Sequence, residues 1–306
     1  MRKFILKRLG YAVLSLFLLS FTIFFFVRVT GDPTTLLVEP GASREDIAAL
    51  QQQLGLDRPV WVQYGSFVSN LARGDFGRSF YYRTPVIELY LSRLPNSLLL
   101  AVAAMTFSLL IGIPSGILAA VRLNGVWDRG GKIFALLGLS MPQFWVGLLL
   151  ILFFSVYLGW LPSSGSGTPL HVLMPAFALG WYFAAAHMRL TRSSMLEVLG
   201  SEYIKLARLK GLPEALVIGK HAFKNALIPV LTLAGINLVL MINIAVVVET
   251  VFAWPGVGRL LYEGIAFRDF PVVQATIVLG GAMIIVVNLV VDVLYAWIDP
   301  RIRLGR

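Results

Sequence analysis

The 306-residue chain contains no cysteine. Disulfides, thiolate nucleophiles and cysteine-held metals are therefore excluded. Histidine is scarce too. His171, His187 and His221 stand far apart, none with another His within four residues, so no metal-ligand spacing is present. Charge is thin: 14% of residues are charged, against about a quarter in soluble domains. Catalytic patterns are missing as well, with no nucleophile elbow, no paired catalytic acids and no HExxH. The nearest approach to a phosphate-binding loop is Gly219-Lys220, but His221 follows where Ser or Thr is required and Glu214 replaces the first glycine. The sequence offers no enzyme site, and the chain is expected to bind no metal and no cofactor of its own.

What is abundant is apolar residue, 58% of the chain, with a mean hydropathy of +0.79. It comes in long blocks, which points to the bilayer as solvent and to an all-α integral membrane fold. Six stretches are long enough to cross as helices: 9–29, 97–121, 133–161, 170–188, 226–248 and 270–291. Arg2, Lys3, Lys7 and Arg8 precede the first, as in a signal peptide. Its apolar run is longer than an h-region and no small-x-small site follows, so an uncleaved helix is expected.

The net charge of +10 is distributed between these spans. The N-terminus, the 122–132 and 189–225 loops and the C-terminus hold 17 Lys and Arg; the 30–96 and 249–269 segments hold 8. The positive-inside rule then places both termini in the cytoplasm and removes the need for nucleic acid as a partner. Three segments follow: 1–30 (N-terminus and first helix), 31–96 (an extracytoplasmic cap) and 97–306 (a five-helix core with a cytoplasmic loop at 189–225). Within the cap, Ser43-Arg44-Glu45-Asp46 reads as a helix start closed by Gly55. Pro59 suits the first turn of a second helix running to Gly74, and Pro85 the start of a third ending near Pro95.

Ionisable residues in the spans are few. Asp292, His187 and Glu249 lie toward span ends and read first as structural, because charge in lipid is costly. Gln143, Asn237, Asn243 and Asn288 are polar residues at mid-span. They either line a pathway, together with Glu249, or bond helix to helix. Gly112, Pro114, Gly116, Pro142, Pro175 and Pro229 interrupt the spans. Trp254-Pro255-Gly256-Val257-Gly258 reads as a turn with an interfacial aromatic anchor or as part of an outer gate.

The 189–225 loop carries a helix-compatible run, Glu202 to Lys210, ended by Gly211. Pro213 and Glu214 suit the start of a second short helix. Ala207 and Gly211 match the coupling-loop pattern of bacterial ATP-binding-cassette importers (Glu-Ala-Ala, three residues, Gly), with Lys205 in place of the Glu and Leu206 in place of the first Ala. The remainder resembles the dipeptide/oligopeptide/nickel permease family, B-type subunit, nearly end to end. LGLDRPVWVQY from Leu54, GDFGRSF from Gly74, SMPQFWVGLLL from Ser140, ARLKGL from Ala207, HAFKNALIPVLT from His221, ETVFAWPGVGRLL from Glu249, RDFPVVQ from Arg268 and NLVVDVLYAWIDPRIR from Asn288 carry the likeness.

The resemblance implies a type I importer transmembrane fold in the bacterial inner membrane. It implies a second homologous permease, two cytoplasmic ATP-binding subunits that use ATP and magnesium, and an extracytoplasmic substrate-binding protein. Tyr203, Ala207, Arg208, Lys210, Gly211 and Leu212 would couple to the ATPases, and Arg259, Arg268 and Asp269 are candidates for docking the binding protein. The substrate class implied is dipeptide or oligopeptide, with nickel chelates and glutathione-like peptides as alternatives. Outside that class a secondary carrier would need mid-span acids or matched inverted halves. A membrane enzyme would need a catalytic constellation. Neither feature is present in the sequence.

Overall fold

The computed structural model describes residues 2–29, 45, 51, 52 and 55–298. The Ser43 cap and Asp46, like the side chain of Asp292, lie outside them. Gly55 does close a turn as expected, at φ +66°, with Leu56 N donating to Gln51 O at 2.8 Å. The described residues are helical with one isolated antiparallel bridge, Arg78 to Pro85. The helices are α1 (Arg2–Val29), α2 (Val60–Ala72), α3 (Val86–Val121), α4 (Val126–Ser140), α5 (Gln143–Tyr157), α6 (Leu170–Leu199), α7 (Glu202–Leu209), α8 (Glu214–Val251), α9 (Val257–Ala266) and α10 (Phe270–Ile298). Wide π turns occupy Ile151–Tyr157 of α5 and Val217–Ala222 of α8.

By length and composition, four of these can cross a membrane alone, in α1, α3, α8 and α10, and a fifth span arises if α4 and α5 are taken together. The expected 133–161 span is thus corrected: it is two helices bent by 104°. The break sits at Met141, in extended conformation at ψ 125°, because the residue before a proline is driven out of the α region. Beyond the break α5 packs closely on the end of α8, since the Phe252 ring lies 3.0 Å from where a Cβ on Gly147 would stand.

The expected 170–188 span lies within α6 but is not among the apolar crossers. Its surroundings explain why it can be less apolar. Leu179, Phe183, Ala184, Ala185 and His187 are buried in protein, so lipid does not select their composition. A second correction concerns the cap. Its third helix does not end near Pro95 but continues as α3 to Val121. Pro95 removes a single N–H from the ladder, whereas ending a helix frees up to four carbonyls and four N–H groups.

The chain forms two compact units. One comprises 1–95 with 259–287; the other comprises 96–258 with 288–306. In the first, Val86, Leu260, Val272 and Ala275 form a core beneath Phe76, Tyr82 and Leu89, and Ile23 and Val27 of α1 pack with Val273 and Val278 of α10. In the second, α6 is central. Its neighbours approach backbone to backbone through glycine: a Cβ on Gly112 would lie 2.7 Å from Ala184 O, and one on Gly116 2.7 Å from Met188 O. Gly112 and Gly116, four apart on α3, form the small-residue stripe typical of membrane helix pairs.

Candidate functional site: the elbow between α6 and α8

Alpha6 runs on past the expected span, and a short turn at Gly200 and Ser201 leads into α7. Alpha7 has few residues but a strict division of faces. Ile204 is fully buried among Ala120, Met195, Val217, Ala222 and Ala226, and Ala207 and Leu212 pack on the same cluster. On its other side Tyr203 and Leu206 are exposed, and Leu209 is 83% exposed.

The helix ends in a Schellman motif. Gly211, at φ +74°, donates to Arg208 O at 2.9 Å, and Leu212 N donates to Ala207 O at 3.4 Å. The motif needs a left-handed residue at the first position past the helix, where glycine carries no Cβ penalty, and an apolar contact between the flanking positions. Ala207, Gly211 and Leu212 supply these three parts.

An exposed ion pair spans the corner after Gly211. The Arg208 guanidinium donates twice to Glu214, Nε to Oε2 at 3.1 Å and Nη2 to Oε1 at 2.7 Å. That carboxylate raises the Arg208 pKa above its ordinary value. A latch joins α7 to α8: Asn225 Nδ2 donates to Tyr203 Oη at 2.9 Å and to His221 O at 3.0 Å. Lys205 pairs with Glu202 at 2.8 Å on the surface. Lys210 is exposed beside Leu209. The expected second short helix is instead the start of α8, which continues from Pro213 through the fifth span. The elbow is therefore joined to helices that run into the spans on both sides.

The other expected site residues separate into groups. Asn237 is buried and bonds His187 Nε2 at 3.2 Å, while Ser108 Oγ meets His187 Nδ1 at 2.6 Å. This network ties α3, α6 and α8 together, and His187 is fully buried within it. Glu249 is fully buried and accepts from Ser97 Oγ at 2.6 Å, and the same hydroxyl accepts from Val257 N at 2.8 Å. Asn243 bonds Val239 O on its own helix at 3.0 Å. Gln143 presents a buried Oε1 with no protein partner, and Asn288 is exposed on α10. Trp254 is not an interfacial anchor: it is 3% exposed and donates to Asn96 O at 3.0 Å.

Of the docking candidates, Arg259 is engaged with Glu263 at 2.8 Å and Arg268 is exposed at φ +50°. Asp269 is 1% exposed, accepts from Ser79 Oγ and Tyr81 N, and caps α10 through Val272 N.

Sequence reading missed Leu206 and Leu209 as the elbow's exposed apolar pair, although i, i+3 spacing beside the buried Ile204 and Ala207 signals it. It also missed a basic cavity of about 850 Å³ between α4 and α6, lined by Lys132, Leu136, Arg189 and Arg192 among others. Beside it, buried Asp128 pairs with Arg192 at 2.6 Å and with Lys132 at 3.0 Å.

Residues 112–304 match the family model "Binding-protein-dependent transport system inner membrane component", and residues 1–101 match its N-terminal counterpart. The chain is 42% identical over 304 residues to the glutathione transport system permease protein GsiC of Escherichia coli strain K12, covering 99% of both chains. It is similar to the same extent to that of Salmonella choleraesuis. Among solved structures, the inward-facing MetNI methionine ABC transporter aligns at TM-score 0.58 and 19% identity, over 70% of this chain and 97% of that one. An amino acid ABC transporter with histidines aligns at 0.55 and 16%, over 68% and 94%. At these identities the likeness concerns the fold.

Proposed function

Because the chain belongs to the family of binding-protein-dependent transport system inner membrane components, we propose that α7 and its glycine-capped corner are where this permease receives the stroke of its ATPases. The chain is a multi-pass, non-catalytic permease subunit of a bacterial ABC importer in the inner membrane. It works in a complex with ATPase and substrate-binding partners. The finer composition we assign is a second homologous permease, two cytoplasmic ATP-binding subunits that hold ATP and magnesium, and one extracytoplasmic binding protein. Both termini then face the cytoplasm, in line with the distribution of Lys and Arg.

The observation that carries the coupling role is the pairing of a buried and an exposed apolar face on one eight-residue helix. Ile204 and Ala207 root α7 in the transmembrane unit, while Leu206 and Leu209 remain free for a groove on a partner. Tyr203, Arg208, Lys210, Gly211 and Leu212 fix its outline. Movement of α7 passes to α6 and α8 because both are continuous helices. Nucleotide then biases a two-state element, which is what coupling between distant sites requires.

For substrate we propose short peptides, with glutathione the first to test. The 42% identity to glutathione permeases supports this. Gln143, Asn243 and Asn288 remain pathway candidates, and Arg259 and Arg268 docking candidates.

Tagging the chain in its native membrane and identifying what co-purifies tests the assembly. A permease of similar size and P-loop ATPases are expected. Isolation of the chain alone, still transporting without ATP in liposomes, would overturn the reading in favour of a secondary carrier.

A further inference from the structure

Alpha2 is a 13-residue helix without a charged side chain. It falls in a segment expected to form a water-exposed cap, and there such a composition is anomalous. Ten of its 13 residues sort into three stripes. Tyr64, Phe67 and Leu71 point toward α1 and its neighbours: Tyr64 meets the rings of Phe17, Phe21, Phe24 and Phe25 at 5.1–6.2 Å, Phe67 meets Phe24 at 5.4 Å, and Leu71 joins the Ile23–Val27 cluster. Gln63, Ser66 and Asn70, at i, i+3 and i+7, form a polar flank. Trp61, Gly65, Val68 and Ala72, at i, i+4, i+7 and i+11, form a flank with no polar side chain.

The two flanks have opposite bearings along α1. Gln63 takes both Arg28 Nε (3.1 Å) and Nη2 near the end of α1. It donates in turn to Leu56 O at 3.0 Å and Arg58 O at 2.7 Å. Trp61 lies against Phe25 at 5.5 Å and Phe21 at 6.5 Å. Those rings are one to two turns further into the span than Arg28, roughly 5–10 Å at 1.5 Å per residue. The span itself covers Gly10–Val29. Trp61 is nevertheless 68% exposed, and Phe17, Leu18 and Phe26 of α1 are exposed as well.

We propose that α2 lies in the membrane surface beside the Val29 end of α1. Its Trp61–Ala72 flank is sunk among acyl chains and its Gln63–Asn70 flank sits at the headgroups. The occupant of the exposed face is lipid. The polar flank is on the side of the span's end, the apolar flank is on the side of its middle, and the tryptophan sits where an amphipathic ring gains most from the interface. Arg28 fits the same geometry: its guanidinium reaches the polar flank and lies 3.6 Å from the centroid of the Phe24 ring, the posture of a snorkelling side chain. The proposal rests on the chain spanning a membrane and is independent of the coupling role of α7.

The absence of cysteine makes the test clean. Single variants Trp61→Cys and Ala72→Cys on one flank, and Ser66→Cys and Asn70→Cys on the other, carry nitroxide labels in the full chain reconstituted in liposomes. Power saturation is read with oxygen, which partitions into lipid, and with a water-soluble nickel chelate. Labels at 61 and 72 are expected to collide several-fold more with oxygen than with nickel chelate, and labels at 66 and 70 the reverse. Equal nickel access on both flanks would place α2 in water and overturn the proposal. Labels at 61 and 72 closed to both reagents would show that a protein covers the face, which overturns it equally. Ala72→Cys keeps the test decisive if loss of Trp61 impairs insertion.

Discussion

At the scale of single residues, the elbow depends on Gly211 more than on the charges around it. A β-branched residue at φ +74° incurs about 1–2 kcal/mol of backbone strain. Gly211→Val is therefore expected to leave the chain in the membrane while ATP hydrolysis by the complex continues and uptake falls several-fold. Normal uptake would remove Gly211 from the coupling path. The Arg208–Glu214 pair is exposed on both sides, where water and salt screen it, so Glu214→Gln should change uptake little by comparison. Tyr82 reports on the other unit. Burial, reinforced by the hydrogen bond its hydroxyl donates to Glu263 at 2.7 Å, pushes its pKa from 10.0 up to about 12. A raised pKa stabilises the neutral phenol, so this contribution is complete below pH 10 and is lost as pH rises toward 12. Alkaline difference titration of phenolate absorbance against Tyr82→Phe should show the missing group ionising near 12; ionisation near 10 would mean that the Glu263 contact does not form. Gly211 was legible in the sequence as a helix end because a glycine cap is a local pattern, whereas Ala207 and Leu212 entered through the likeness to importer coupling loops. The burial of Asp269 was not legible, because it depends on Ser79 and Tyr81, far away along the chain.

At the scale of elements, α3 and α6 hold together through the absence of side chains. A Cβ on Gly116 would lie 2.6 Å from the Thr191 Cβ. Overpacking of this kind costs about 1–3 kcal/mol. Gly116→Leu is expected to lower the thermal stability of the purified complex and its yield, whereas Gly130→Leu, which meets nothing within 4 Å, is not; equal stability of the two variants would argue against the close approach. Hydropathy located α1, α8 and α10 because lipid contact selects composition directly. It gave no warning that 133–161 bends by 104° or that α3 runs through Pro95. Both depend on which neighbours cover the backbone, and one proline continues a helix where the other ends it. The mid-span polar residues split along similar lines. Asn237 binds helix to helix and Asn243 serves its own helix, a distinction that only the facing His187 makes visible. Replacing Asn237 with Leu leaves His187 Nε2 without this partner and should loosen α6 from α8, read as faster amide exchange in both helices; unchanged protection would mean that Ser108 alone fixes the imidazole.

At the scale of the whole molecule, the unit formed by 1–95 with 259–287 imposes an order on biosynthesis. Its first portion leaves the ribosome long before the second. At about 5–20 residues per second, the intervening 163 residues of 96–258 take roughly ten to thirty seconds. For that interval Val86, fully buried in the finished protein, has neither Leu260 nor Val272 to pack against, and Ser79 has no Asp269 to accept its hydrogen bond. The nascent cap must therefore be shielded by insertion machinery or by lipid until the last span arrives. A translational pause or truncation before residue 259 would leave an intermediate whose core faces outward, the form that quality-control proteases would meet first.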